Sequence, residues 1–405
     1  MRIERVIKFL PLLLSTLACG VIAQAGDPEV ALVDPAVLSR VRESYRSGEK
    51  FFLPAVKRLL RDSEKALEVK PLSVTDKEQV PPSGDKHDYM SMGKYWWPDP
   101  AKPDGLPYIR RDGEANPMAA KLTDHDELSV LIKGVSTLGL GFYFSSEEKY
   151  AAHAALLLRG WFLDPATRMN PNLNYAQAVP GRSDGRGAGI IDAHQLPELL
   201  DGAALLEGSA SWSAADRQGL RDWFTAYLHW LRESDNGRQE AAAKNNHGTW
   251  YDVQVAATAL FVGDTSIAAS TLRGARAKRI ASQIEPDGSQ PAELQRTKSW
   301  DYSFFNLAAY VRLATLGERV KVDLWHYATA DGRSIRKAVD WLLPFATGEQ
   351  EWKHEQIFER KTTGIAPLLM KAAEVWSVDQ YRVAAGKVGG TNLQTDRSML
   401  FLRIM

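Results

Sequence analysis

Residues 244–261 read Lys-Asn-Asn-His-Gly-Thr-Trp-Tyr-Asp-Val-Gln-Val-Ala-Ala-Thr-Ala-Leu-Phe. A polar, small and aromatic opening passes into an apolar run, Val253–Phe261, with no proline to break it. This grading predicts a helix over 249–261, capped by Asn245 or Asn246, with Asn246 and His247 at or near its N-terminus. Free N–H groups and the helix dipole favour an anion at such a position and keep an imidazole neutral.

Outward from this stretch, the same helical spacing recurs along the chain. It predicts helices over 35–47, 52–69, 124–144, 147–162, 193–207, 214–233, 266–284, 299–316, 333–345 and 365–376. Ser213 followed by Asp216 is a weak capping box, and Gly263-Asp264-Thr265 separates two helical runs as a turn and cap. Alternating Val, Ile and Thr are scarce, so extensive sheet is not expected. Many antiparallel helix pairs of similar length point to an all-α toroid or barrel, with an α-solenoid as the runner-up. Two polar stretches rich in proline and glycine interrupt the helices, 80–121 and 170–192. Loops of that length are usually functional, and the aromatics of the first argue against a disordered linker. No stretch after the N-terminal region is expected to span a membrane.

The N-terminus reads as an address. Arg2, Arg5 and Lys8 precede an apolar run, Phe9–Leu17, and Ala23-Gln24-Ala25 closes it as a cleavage pattern. The expected organisation is a signal peptide over 1–25 and one helical domain over 26–405, in a periplasmic or secreted protein without stable membrane association. Cys19 is the single cysteine of the 405 residues, so a disulfide framework is excluded. Lipidation of Cys19 ranks below plain export, because Thr16 stands where a bulky aliphatic residue is expected.

The chain has 50 Lys+Arg and 50 Asp+Glu, which excludes a uniformly basic, nucleic-acid-binding protein. Residues 1–25 hold three bases and one acid (Glu4), leaving 50 − 3 against 50 − 1, a net of −2. A polyanionic partner therefore requires segregated charge. Lys94, Arg110, Arg111, Arg182, Arg186, Lys244, Arg296 and Lys298 all fall in the polar segments that would border a cleft.

A second string, Glu293-Leu-Gln-Arg-Thr-Lys-Ser-Trp-Asp-Tyr302-Ser303, follows the turn at 285–291. Arg296 is suited to clamp a carboxylate, and Tyr302 to transfer a proton if cationic or hydrogen-bonding neighbours lower its pKa. The same string also reads as a helix start with buried aromatics. Tyr95, Trp96 and Trp97 are suited to stack on sugar rings or to anchor a loop. Asp99, Asp104 and Asp112 lack calcium-loop spacing, and no zinc-protease helix, nucleophile elbow, phosphate loop or dinucleotide fingerprint occurs.

With these strings in view, the chain resembles the alginate lyase superfamily of uronate-polysaccharide lyases, close to its glucuronan-cleaving branch. The resemblance is carried by 245–254, by 295–303 and by Tyr95-Trp96-Trp97-Pro98-Asp99-Pro100, within a region from Tyr89 to Phe345. It implies an incomplete α/α toroid with a long cleft, and depolymerisation by β-elimination with no metal and no cofactor. The family's catalytic positions fall on Asn246, His247, Arg296 and Tyr302, with a lid aromatic somewhere in 89–97. Expected substrate contacts are Lys94, Tyr95, Trp96, Trp97, Asn174, Gln177, Arg182, His194, Trp250 and Tyr251, on an anionic uronate polysaccharide.

The residue chemistry suits that reaction. Elimination from a 4-linked uronate needs its carboxylate neutralised, the C5 proton removed and the O4 leaving group protonated. Asn246 and Arg296 match the first task, with His247 assisting. In mannuronate or glucuronate H5 and O4 lie on one side, so Tyr302 can serve as both base and acid. In guluronate they are opposed, and His247 would be the base. The competing expectations are a glycoside hydrolase on an α/α barrel, which needs a carboxylate pair, and a non-catalytic carbohydrate-binding protein.

Overall fold

The structure, a computed structural model, describes residues 28–403, so the expected signal peptide and Cys19 lie outside the described residues. In chain order the elements are α1 (Pro35–Arg46), α2 (Leu53–Ala66), β1 (Met90–Met92), β2 (Trp96–Trp97), β3 (Ile109–Arg110), α3 (Asp124–Ser145), α4 (Glu148–Leu158), β4 (Tyr175–Ala178), α5 (Leu196–Ala204), α6 (Ala214–Glu233), α7 (Asp235–Ala241) and α8 (Asn246–Val262). They continue with α9 (Thr265–Ala275), α10 (Ala281–Gln283), α11 (Pro291–Leu294), α12 (Ser299–Arg319), α13 (Ile335–Thr347), α14 (Ala366–Trp376) and α15 (Asp379–Gly389). The architecture is the incomplete α/α toroid.

Helix α8 explains the arrangement. Tyr251, Val255 and Ala259, at intervals of four, belong to one core with α3–α6. Trp250, Val253 and Ala257, on the other side of the helix, belong to a second core with α9 and α12–α15. A helix apolar on both sides must be buried on both, and so α8 stands between the two main cores. Its start is set by Asn245, whose side chain accepts the His247 N–H, and its end by Gly263 at φ 89°. It therefore begins three residues before the expected Thr249. The capping box at Ser213 and Asp216 is present in full at the start of α6.

Neighbouring helices pack as pairs: α2 on α3, α3 on α4 and α5, α6 and α9 on α8, α8 on α12, and α14 on α15. A third apolar cluster joins α1, α2, the end of α3 and Met399–Leu402, so the two ends of the described chain meet. Helix α3 is long and apolar enough to span a membrane, contrary to expectation, but most of it is buried between α2, α4 and α5. Two expected helices end in π turns, Arg159–Leu163 after α4 and Arg276–Ile280 after α9. Helices α7, α11 and α15 are not among the expected ones, because they are short or lack a long apolar period.

The two polar stretches pair with each other across the mouth of the toroid. β1 runs parallel to β4, with Met90 opposite Tyr175 and Met92 opposite Ala178. β2 and β3 form a small hairpin, Trp96 opposite Arg110 and Trp97 opposite Ile109.

The N-terminal segment is held by one carboxylate on α5. Asp201 accepts the N–H groups of Ala31 at 2.7 Å and Leu32 at 2.9 Å. Burial pushes its pKa up from 3.8 to about 7, against the lowering effect of those two N–H donors. A raised carboxyl binds its proton in the folded state where the unfolded chain has lost it, so its contribution to stability falls as pH rises from 3.8 to about 7 and is level above. Asp201→Asn should remove that dependence. In thermal denaturation at pH 5, 6, 7 and 8, the wild type should lose ground to the variant between pH 5 and 7; a constant difference would contradict the assignment.

Candidate active site

A cleft of about 670 Å³ opens between the toroid and the paired loops. Asn246, His247, Arg296 and Tyr302 all line it, although 53 residues of sequence separate the start of α8 from the start of α12. Each of the first three is fastened to a carboxylate of the protein.

Asn246 is 1% exposed, and so is its partner Glu293 on α11. Glu293 accepts the Asn246 backbone N–H at 2.6 Å and its side-chain amide N–H at 2.7 Å. The anion at this helix N-terminus is thus part of the protein, a correction to the expectation of a free anion site. The carboxylate also fixes the amide's orientation, since only the NH₂ can donate to it. Burial raises the Glu293 pKa, with the Asn246 donors opposing.

His247 places Nδ1 2.7 Å from Glu240 Oε1 at the end of α7. Glu240 is almost fully buried. A ring that donates Nδ1–H to a carboxylate leaves Nε2 as an acceptor, the form a proton-abstracting base needs. The turn that sets this pair requires Gly248. A Cβ there would lie 2.2 Å from the Ala243 carbonyl and 2.4 Å from Arg279 Nη1.

Arg296 was expected to clamp a substrate carboxylate through its fork. The fork is instead on Asp112 of the first loop, with Nη2 to Oδ1 at 2.7 Å and Nε to Oδ2 at 3.0 Å. Asp112 also accepts the Thr297 N–H and pairs with Arg110 at 2.7 Å. Burial alone would raise the Asp112 carboxyl, but these donors hold it well below the usual range. Fixed in this way, the Arg296 guanidinium lies 3.6 Å from the centre of the Tyr302 ring.

The Tyr302 hydroxyl donates to the Tyr95 hydroxyl at 2.9 Å. Burial pushes the Tyr302 pKa well up; Arg296 acts in the opposite direction and does not overcome it. The resting group is therefore a neutral phenol, a correction to the expectation of a pKa lowered by its neighbours.

Of the expected substrate contacts, Lys94, Tyr95, Trp96, Gln177 and His194 line the cleft. His194 donates its Nδ1–H to Ile191 O at 2.8 Å, and burial lowers its pKa to about 4, so it is neutral. Five others do not line it. Trp97 turns outward, its indole N–H on Glu114 O. Asn174 accepts the Trp230 indole N–H, and Arg182 donates to Tyr108 O. Trp250 is 5% exposed, packed between His194 and Phe305. Tyr251 donates to Leu231 O in the core. Helical rotation carries positions 250 and 251 to the two sides of α8 that face the cores.

A helical toroid with an amide, an imidazole, a guanidinium and a phenol gathered in one loop-covered cleft is the build of a polysaccharide lyase. The alginate lyase family model matches residues 73–352, and the chain belongs to that family. It is similar to the crystal structure of an alginate lyase from Bacteroides ovatus, at 41% identity over 93% of this chain and 100% of that one, with a TM-score of 0.89. Alginate lyase A1-III from Sphingomonas species A1 shares the fold at 15% identity, covering 94% of this chain and 97% of that one, with a TM-score of 0.58. A variant of A1-III in complex with a tetrasaccharide gives 16% identity, 95% and 98% coverage and a TM-score of 0.59. No curated protein matches the chain.

Glu240 tests the arrangement most directly. Glu240→Gln keeps the size of the group but removes the carboxylate that selects the imidazole tautomer. It should lower turnover by about tenfold or more without unfolding the protein. Wild-type turnover in a variant with an unchanged circular dichroism melt would remove His247 orientation from the account.

Proposed function

We propose that this polysaccharide lyase cleaves a β-1,4-linked uronan, the mannuronate blocks of alginate or glucuronan, by β-elimination that leaves 4,5-unsaturated uronate ends. The carrying observation is the convergence of Asn246, His247, Arg296 and Tyr302 on one cleft. The alginate-lyase neighbours support the substrate class. We also propose that 1–25 direct export to the periplasm or medium, and that 26–405 act as one catalytic domain.

Asn246 and the cations of the cleft offset the charge of the substrate carboxylate, which acidifies H5. Arg296 contributes through its fixed position over Tyr302, because its fork is spent on Asp112. In guluronate, His247 Nε2 would take H5 from one face while Tyr302, already a phenol, protonates O4 from the other. In mannuronate or glucuronate, Tyr302 must first lose its proton to solvent and become a phenolate. It then removes H5 and returns the proton to O4, and Arg296 is the neighbour that favours that anion.

The hydrolase alternative needs two carboxyl groups free to face a glycosidic bond. Asp126, Asp192 and Glu240 line the cleft. Asp126 is paired with His125 and Glu240 with His247, while Asp192 accepts from Tyr89, Ser91 and Gln177.

Incubation with polymannuronate and polyglucuronate should raise the ultraviolet absorbance of the unsaturated product on at least one of the two, with α-1,4-linked polyguluronate as the comparison. Silence on both β-1,4-linked polymers rejects the reading. Tyr302→Phe should cut turnover roughly 100-fold or more on whichever polymer is cleaved, because the phenol is the O4 acid on either stereochemical route.

A further inference from the structure

Arg186 is a cation held in the cleft wall without a counter-ion. It lines the cleft, is only partly exposed, and forms no ion pair with a described residue. Its Nε donates to Gln177 O at 3.1 Å and its Nη2 to Gln177 Oε1 at 2.8 Å. These acceptors are neutral, and Nη1 has no hydrogen-bond partner among the described residues. Its guanidinium lies 5.6 Å from the centre of the Trp96 ring, and that of Arg182 lies 5.2 Å from the same ring. Gly93 makes room for this packing, since a Cβ there would sit 2.7 Å from Trp96 Cδ1 and 3.3 Å from Arg186 Nη2.

The carboxylates that act on Arg186 through space, Asp192 and Glu240, are committed to other donors. Arg110, which also lines the cleft, shares Asp112 with Arg296. Three guanidiniums, those of Arg110, Arg186 and Arg296, thus have one carboxylate, Asp112, directly paired among them. Burial and the neighbouring Arg110 both lower the pKa of Arg186, the mark of a desolvated, uncompensated cation.

The acceptor that holds Arg186 is itself under strain. Gln177 has φ 49°, a left-handed conformation uncommon for a residue with a side chain. It is kept there by its N–H on Ser91 Oγ, its amide N–H on Asp192 and its two oxygens on Arg186. Strain and an unpaired charge are costs to the free protein, and an anionic ligand offsets the second.

We propose that Arg186, with Arg110 beside it, forms a second carboxylate-binding subsite that holds a uronate adjacent to the one being cleaved. The proposal rests on the uronan-lyase reading and adds a substrate-gripping residue to it. A polyanion carries a carboxylate on every sugar, so a lyase that grips two of them favours acidic runs over polymers with interspersed neutral units.

The test is steady-state kinetics on the uronan that the wild type turns over best, with Arg186→Gln, Arg186→Lys and Arg110→Gln. Arg186→Gln should raise KM about tenfold while kcat falls far less, and Arg186→Lys should restore part of the loss by retaining charge. Arg110→Gln, at an exposed position, should raise KM in the same direction by about threefold, which keeps the proposal testable if the Arg186 variants fail to fold. The difference from wild type should shrink as salt rises. An unchanged KM in folded variants overturns the subsite. So does a fall in kcat with KM unchanged, which would put Arg186 on the reacting carboxylate. A wild type inert on every uronan instead defeats the functional reading, and this proposal with it.

Discussion

The site depends on one buried arginine. Arg279 sits in the π turn after α9 and is 3% exposed at its side chain. It grips Asp252 of α8 through Nε at 2.8 Å and Nη2 at 3.1 Å. Its remaining reach goes to the carbonyls of Ala241 and Ala243, both at 2.8 Å. The first of those carbonyls ends α7 and the second lies in the turn after it, so one guanidinium fixes the turn between Glu240 and His247 from below. Removing one partner of such a pair leaves an uncompensated charge inside the protein, at a cost of about 3–5 kcal/mol. Gly248 is small because this guanidinium lies against it.

The same logic recurs at each reactive group. Glu293 orients Asn246, Glu240 orients His247, and Asp112 orients Arg296. A charged or polar side chain in a low-dielectric wall is worth more to a reaction when it needs no rearrangement to act. The carboxylates supply that fixity. They also restrain the site's net positive charge, which leaves Arg186 and Lys94 to attract the polymer.

Behind the wall, Gln283 Oε1 accepts from Thr249, Asn306 and Tyr310, and Gln290 accepts from Asn306 while donating to Ser303 O. This network joins α8 to α12 and so holds the Asn246–His247 pair at a constant distance from Tyr302. The first loop is tied to the same frame by Asp112 and by the Tyr95–Tyr302 hydroxyl contact. Covering the cleft and completing its chemistry are therefore one structural event.

Much of the fold was legible in the residues. Apolar spacing marked the long helices, and the Ser213, Asn245 and Gly263 signals marked their ends, because these are local effects of backbone hydrogen bonding and packing. The strings 245–254 and 295–303 likewise carried the candidate reactive groups. What could not be read was who holds them. Glu293 lies 47 residues from Asn246, and Asp112 lies 184 residues from Arg296. Nothing in local pattern distinguishes those carboxylates from solvated surface charge. For the same reason Trp250 and Tyr251 looked like sugar contacts, although α8 turns them into its two cores. The sequence by itself determined a helical chain with an amide, an imidazole, a guanidinium and a phenol in two motifs. Only the tertiary structure decided which carboxylate orients each, which cation stays unpaired and which aromatics face the cleft, since these follow from contacts between segments far apart in the chain.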